Sequence, residues 1–307
     1  MTSLAEARER ALARQAQRDA SHRAHLTLRE LDWERPKRSV DELRALAKEG
    51  QRLLGCGGQT ASAEDPLDVP RTPGTPLVSG AGDAPRTPAT PHETSTEATF
   101  DQVIAWVATT FGYRAAVACS MADAVLPHAV AAHLPWVDVL FLETGYHFPE
   151  TIGTRDAVAT AIEVTIKDVA SRHSVAEQDA LHGKDLFVRN PSLCCQLRKV
   201  EPLTEALEPY EVWFTGVRRD EAPTRAGTPL VTFDEKNGLV KVNPLAAWSF
   251  DDLLAYATRH AVPINPLLNQ GYPSIGCAPC TRKVAPGEDP RAGRWAGLDK
   301  TECGLHT

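Results

Sequence analysis

The 307-residue chain has no apolar run long enough to span a bilayer, and its first residues lack the hydrophobic stretch of a secretory leader. Membrane insertion and export are therefore not expected, and the cytoplasm is the default compartment. An excess of positive charge is also missing. With 33 Lys and Arg against 40 Asp and Glu, the formal charge is -7, which argues against a general nucleic-acid binder. Between Cys119 and Asp123 the glycines of a pyrophosphate-cradling loop are absent, which excludes an ATP-pyrophosphatase type of transferase. Nor is there a secreted disulfide framework. The seven cysteines are odd in number, with two adjacent and two in a C-x-x-C, and suit a reducing compartment.

The length allows one full α/β core, to which residues before about position 99 are expected to add little. Met1 to His25 are rich in Ala, Arg and Glu without a wide apolar stripe, which predicts a solvated helix with little to bury. Ser39 and Glu42 form a capping-box pattern ahead of Leu43, Leu46, Leu53 and Leu54, so a short amphipathic helix should end by Gly55. Residues 1–56 thus read as a helical, largely disordered extension, and Cys56 as an incidental loop thiol. Over 57–98 the composition turns to Pro, Gly, Thr and Ala, and PRTPGTP from Pro70 returns as PRTPATP from Pro85. This reads as a disordered spacer, although a docking motif for a proline-binding module has the same composition.

Residues 99–307 form the expected catalytic domain. Phe100, Val103, Ile104, Val107 and Phe111 recur at helical spacing until Gly112. Residues 115–119, 137–142, 163–166 and 212–215 read as buried strands, with a helix over 123–133 between the first two. The alternation predicts a doubly wound parallel sheet of the α/β class, whose ligands lie beyond the carboxyl ends of the strands. The loops to inspect are therefore Ser120 to Asp123, Glu143-Thr144-Gly145, and Thr215 to Arg219. Backbone N–H groups after Ser120 could hold an anion at a helix start. Glu143 could reach ribose hydroxyls while Gly145 admits the ligand. An ordinary strand-to-loop turn would look the same.

Cys194 and Cys195 are adjacent, with Arg198 and Lys199 one turn further along a helix expected to run to about Glu208. With Cys277 and Cys280, flanked by Gly276 and Pro279, they make four thiols suited to an iron-sulfur or a zinc centre. Four buried, unligated cysteines are the plainer alternative. Arg218, Arg219, Arg291 and Arg294 point to an anionic small ligand, since guanidinium groups pair with phosphate or sulfate oxygens in a bidentate way; taken singly, each suits a surface ion pair. Cys303 lies alone near the chain end, with Lys300 and His306 nearby, where a thiol can become a nucleophilic thiolate.

The stretches FLETGYHFPET, CCQLRKVEPL, WFTGVRRDEAPTRA, VKVNPLAAWS, GYPSIGCAPCTR, RAGRW and KTECGLH occur in order from about Ala115 to His306. Together they resemble the assimilatory adenosine 5′-phosphosulfate (adenylyl-sulfate) reductases, in particular the iron-sulfur bacterial form of the phosphoadenylyl-sulfate reductase family. The resemblance implies an adenine nucleotide alpha-hydrolase-like fold with a mobile C-terminal tail. It implies a 4Fe-4S cluster on Cys194, Cys195, Cys277 and Cys280, and Cys303 as the nucleophile that takes the sulfonate before thioredoxin releases sulfite. It also implies that Lys199, Arg291, Arg294 and His306 face the phosphosulfate, and that Arg218 and Arg219 close over the nucleotide. Two positions depart from the pattern: Glu143 stands where Asp is usual, and Cys119 where Ser is usual, with Ser120 or a backbone amide as the substitute. A reductase of the 3′-phosphorylated nucleotide typically lacks the four-cysteine set, and a non-catalytic zinc or nucleotide-binding module would have no use for Cys303.

Overall fold

The computed structural model of the chain describes residues 4–55, 97–298, 300, 302, 304 and 305. The first helices are α1 (Leu4–Glu34), α2 (Val40–Gly55) and α3 (Phe100–Phe111). Strands and helices then alternate through β1 (Ala115–Ala118), α4 (Val125–Ala131), β2 (Val137–Glu143), α5 (Pro149–Ala161) and β3 (Val164–Ala170). The pieces α6 (Val175–His182), α7 (Leu186–Arg189), α8 (Pro191–Cys195) and α9 (Glu201–Leu207) lead to β4 (Val212–Phe214). A hairpin of β5 (Val231–Asp234) and β6 (Leu239–Val242) precedes α10 (Phe250–Arg259).

These strands form one sheet in the order β3-β2-β1-β4-β6-β5, parallel except for β5 at the edge. Ala116, Val117, Val137, Val139 and Phe141 are buried, as continuous apolar runs covered on both faces must be. The helix expected from Phe100 is capped by Thr99 and Gln102, each side chain bonding the other's backbone N–H, and Gly112 ends it at a φ of 56°. The hairpin was not foreseen. Each of its strands is only four residues long, and its turn reaches Gly238 at a φ of 68°. β1 lies between β2 and β4, so the direction of winding reverses there, and a crevice opens at the carboxyl ends of β1 and β4.

The N-terminal residues are more involved than their composition suggests. α2 starts on the expected capping box, with Glu42 accepting from Ser39 N at 2.7 Å, and puts Leu43 and Ala47 into the main core. α1 is docked by charge where apolar residues are few. Arg29 donates to Asp138 Oδ1 at 2.7 Å, Asp32 accepts from Tyr113 N at 2.7 Å, and Arg18 lies 5.1 Å over the Trp136 ring. The expectation that residues before 99 add little to the core is thus corrected.

The proline-rich stretch expected over 57–98 lies, apart from Glu97 and Ala98, outside the described residues, as does Cys56. Its two ends nevertheless meet, because Ala98 N donates to Leu54 O at 2.8 Å. The two flanks of the segment are therefore held close together. Replacing residues 57–95 with a short Gly-Ser linker is expected to leave the melting temperature unchanged or raised by no more than about 5 °C, since shortening a closed loop changes its entropy only logarithmically. A thermal melt falling by more than that would show that the segment contributes contacts of its own.

Candidate functional site

β1 passes into a loop whose first residue, Cys119, is a half-buried neutral thiol. Burial and then the neighbouring Asp123 push it up to about 12, and its sulfur lies 3.4 Å from Asp123 O. Asp123 accepts from Val125 N at 3.0 Å at the start of α4, and burial raises its carboxyl above the ordinary range. Ser120 beside them is exposed. Asn265 pins the loop from below by donating to Met121 O at 3.1 Å and Thr151 Oγ1 at 3.2 Å.

This loop borders a cavity of about 230 Å³. Of the residues singled out in the sequence, Ser120, Asp123, Thr144, Lys199, Arg218, Arg291 and Arg294 line it. Glu143, Gly145 and Arg219 stand off its wall. Glu143 folds back to accept from Gly145 N at 2.7 Å, across a turn that needs Gly145 at a φ of 74°. Arg219 donates to Glu97 at 2.7 and 2.8 Å and to Thr228 O at 2.8 Å.

A second, smaller cavity adjoins the first, with Lys199, Cys277 and Trp295 lining both. Around it stand Cys194, Cys195, Cys277 and Cys280, none of them in a disulfide among the described residues. The four cysteines singled out in the sequence thus line one cavity, two from α8 and two from the turn after Gly276. Among the described residues no group of three or more His, Cys, Asp or Glu side chains is gathered closely enough to hold a metal ion; the four cysteines share the lining of one cavity.

Burial and the charge of the other three thiols push Cys194 up to about 12, and burial and Cys277 push Cys280 up to about 11. Cys277 goes the other way. Burial would raise it, but Lys199, the Thr144 hydroxyl at 3.4 Å and Arg294 outweigh that and hold it below the ordinary thiol range. A packed set of thiols with one already inclined to ionise fits a thiolate-ligated centre, whose positive charge would draw off the remaining protons.

The helix carrying these cysteines is not uniform. A π turn, Gln196–Val200, joins α8 to α9, so Arg198 and Lys199 do not follow the cysteines at simple α spacing. Arg198 is buried and fastens the loop after β2, donating to Thr144 O, to Gln178 Oε1 at 3.1 Å and to His173 O at 3.3 Å. Lys199 turns to the cavities.

Arg294 lies 4.6 Å from the Trp295 ring centroid and donates to Ser274 Oγ and Ile275 O at 3.2 Å. Its Nε is buried and has no partner among the described residues. A side chain at Gly276 would run into this guanidinium, which explains the glycine beside Cys277. Arg291 donates to Glu302 at 3.1 Å, and Arg225 grips the same carboxylate at 2.9 and 2.8 Å. Arg225 and Glu302 were not singled out in the sequence, although WFTGVRRDEAPTRA and KTECGLH contain them. Their pairing spans 77 residues and leaves no local signal. Cys303 and His306 lie outside the described residues. Their neighbours are seated: Lys300 donates to Ser192 Oγ at 3.2 Å, and Leu305 lines the larger cavity.

A family profile described as the phosphoadenosine phosphosulfate reductase domain matches residues 104–283. The adenosine 5′-phosphosulfate reductase of Streptomyces coelicolor is 58% identical over 210 residues, which is 68% of this chain and 89% of that protein. The protein of the same name from Mycolicibacterium smegmatis is 56% identical over 210 residues, with the same shares, 68% and 89%. Among solved structures, a phosphoadenylyl-sulfate (PAPS) reductase from Candida auris, in a phosphate complex, superposes with a TM-score of 0.52 at 30% identity, over 62% of this chain and 93% of that one. The chain belongs to the phosphoadenosine phosphosulfate reductase family.

Proposed function

We propose that the chain reduces adenosine 5′-phosphosulfate to sulfite and AMP in sulfate assimilation, using Cys303 as nucleophile and thioredoxin as reductant. The observation that carries this reading is the joining of two cavities at Lys199 and Cys277, one bordered by arginines and the other by four thiols, with the chain around Cys303 seated at the first. Lys199, Arg291 and Arg294 would take the phosphosulfate oxygens, with Arg294 Nε available for one of them. His306 would join them. Ser120 and Arg218 would hold the nucleotide, with Asp123, Thr144 and Gly145 shaping its loops. A ribose contact from Glu143 requires its carboxylate to leave Gly145 N, and closure by Arg219 requires it to leave Glu97.

The thiolate of Cys303 attacks the sulfonate sulfur. A Cys303 S–S bond forms, the S–O bond to the phosphate breaks, and AMP leaves with the electron pair. The cations on the cavity wall stabilise the charge that builds on the departing phosphate oxygen. A thioredoxin thiolate then attacks the Cys303 sulfur, sulfite departs with two electrons, and the second thioredoxin thiol resolves the mixed disulfide. Cys194, Cys195, Cys277 and Cys280 would hold a 4Fe-4S cluster. Four thiols lining one small cavity suit zinc as well as a cluster, and the choice of iron follows the family likeness. When bound, the cluster would order these residues, and its four thiolates would set net negative charge against the cations Lys199 and Arg294.

The test is sulfite release by anaerobically purified protein with thioredoxin, with the unphosphorylated and 3′-phosphorylated nucleotides in parallel and an iron and zinc assay alongside. The expected result is turnover on the unphosphorylated nucleotide and about four irons per chain, as a 4Fe-4S cluster requires. Zinc in place of iron, or preference for the 3′-phosphorylated nucleotide, would overturn the corresponding part.

A further inference from the structure

We infer that Arg225 is a positioning residue that seats the Cys303 segment at the cavity by holding Glu302, an inference that rests on the reductase reading above. Arg225 comes from the loop that follows β4, whereas Glu302 is the residue before Cys303. The guanidinium meets the carboxylate with two bonds, Nε to Oε1 at 2.9 Å and Nη2 to Oε2 at 2.8 Å, and Thr224 Oγ1 lies 3.4 Å from Oε1. Two parallel bonds fix orientation as well as distance. Both side chains are 12% exposed, so the pair is shielded from much of the screening that weakens surface ion pairs.

Arg225 is itself held. Its Nη1 bonds Glu221, which in turn pairs with Arg218 Nη1 at 3.4 Å. Charges of alternating sign therefore run Arg218, Glu221, Arg225, Glu302, Arg291, and tie the loop after β4 to the C-terminal segment. On the other side of Cys303, Leu305 packs against the main hydrophobic core and lines the cavity. In sequence, Cys303 thus falls between an ionic anchor at Glu302 and an apolar anchor at Leu305.

The arrangement divides labour between two arginines. A bare carboxylate next to Cys303 would repel an anionic ligand and oppose thiolate formation. Arg225 and Arg291 both neutralise it, but Arg291 is also a proposed ligand of the substrate oxygens. When Arg291 turns to them, the bidentate Arg225 keeps Glu302, and with it Cys303, in place. Small errors in the placement of a nucleophile are costly in rate, so the anchor should act on the sulfur-transfer step more than on nucleotide affinity.

The experiment uses the full chain, purified anaerobically, as parent, Arg225→Gln, Glu302→Gln and the double variant. Formation of the S-sulfonated adduct in a single turnover without thioredoxin is followed by intact mass, and AMP affinity is measured by titration. Each single variant is expected to slow adduct formation by about 100-fold, with AMP affinity within about threefold of the parent, and the double variant is expected to be no slower than the slower single. Arg225 also borders the cavity, but a loss that came from direct contact with substrate would not be shared by Glu302→Gln. Single variants within about threefold of the parent, or losses that multiply in the double, would overturn the inference. If the parent itself formed no adduct, the reductase reading would fail while the anchor was still tested. Iodoacetamide labelling of Cys303, read by peptide mass at a pH high enough to ionise the thiol fully in every variant, should be at least about tenfold faster in both single variants, and labelling at the parent rate would refute it.

Discussion

A Cys303→Ser variant is expected to release sulfite at least about 10⁴-fold more slowly than the parent chain, with its iron content unchanged. The size of the effect follows from two separate failures. A serine hydroxyl is almost wholly protonated where a thiol is partly ionised, so the attack on the sulfonate sulfur loses its nucleophile. Even if the hydroxyl were sulfated, the product would carry an S–O bond at the side chain. A thioredoxin thiolate has no sulfur of the enzyme to attack there, and the release step that depends on thiol exchange would have no counterpart. The iron should stay because four other thiols, Cys194, Cys195, Cys277 and Cys280, line the smaller cavity and supply the number a 4Fe-4S cluster takes. Sulfite assay and iron determination on one preparation separate the two roles. Undiminished release would remove Cys303 from the mechanism, and loss of iron with loss of activity would place it with the ligands instead.

Much of the site could be read from the chain because its signals are local. The apolar runs at Ala115, Val137 and Val212 are short and unbroken, and they form strands within a residue or two of where the pattern puts them. Cys194 with Cys195, and Cys277 with Cys280, are paired in sequence, so bringing four thiols together took only one long-range contact between two turns. The hairpin was harder: Val231–Asp234 and Leu239–Val242 are too short to show a period, and the strand between β4 and the sheet edge is fixed by its partners. The arginines were hardest. Arg218, Arg219, Arg291 and Arg294 look alike in the sequence, yet Arg219 spends its guanidinium on Glu97 while Arg294 keeps a buried Nε with no partner among the described residues. Nothing within a few residues of either tells them apart. The same holds for Arg225 and Glu302, which lie in two recognisable stretches but acquire a role only through each other.

Replacing both Arg35 and Arg38 with alanine is expected to destabilise the fold by about 3–5 kcal/mol, seen as a fall in melting temperature of about 10 °C. Glu211, just before β4, is fully buried, and these two arginines are its ion-pair partners among the described residues: Arg35 at 2.9 Å through each carboxylate oxygen, and Arg38 at 2.6 Å. Arg38 N adds a bond at 2.7 Å that the substitution leaves in place. Removing both guanidinium groups leaves a carboxylate in the interior without a countercharge. A third change, Glu211→Gln, should therefore recover part of the loss, because it removes the stranded charge itself. The pH dependence gives an independent reading. Burial would raise the Glu211 carboxyl, but Arg35 and Arg38 outweigh it and hold it below its ordinary value of 4.5. A carboxylate depressed in the folded state contributes stability that is complete above the unfolded value and is lost as the pH falls through the folded one. The gap between parent and double variant should accordingly be full at neutral pH and close in acid below about 4.5. Urea melts at several pH values would measure it. A variant melting within about 2 °C of the parent at neutral pH would mean that the stretch joining α1 to α2 rests against the sheet without holding it, whereas the expected loss makes this stretch part of the same folded unit as the site.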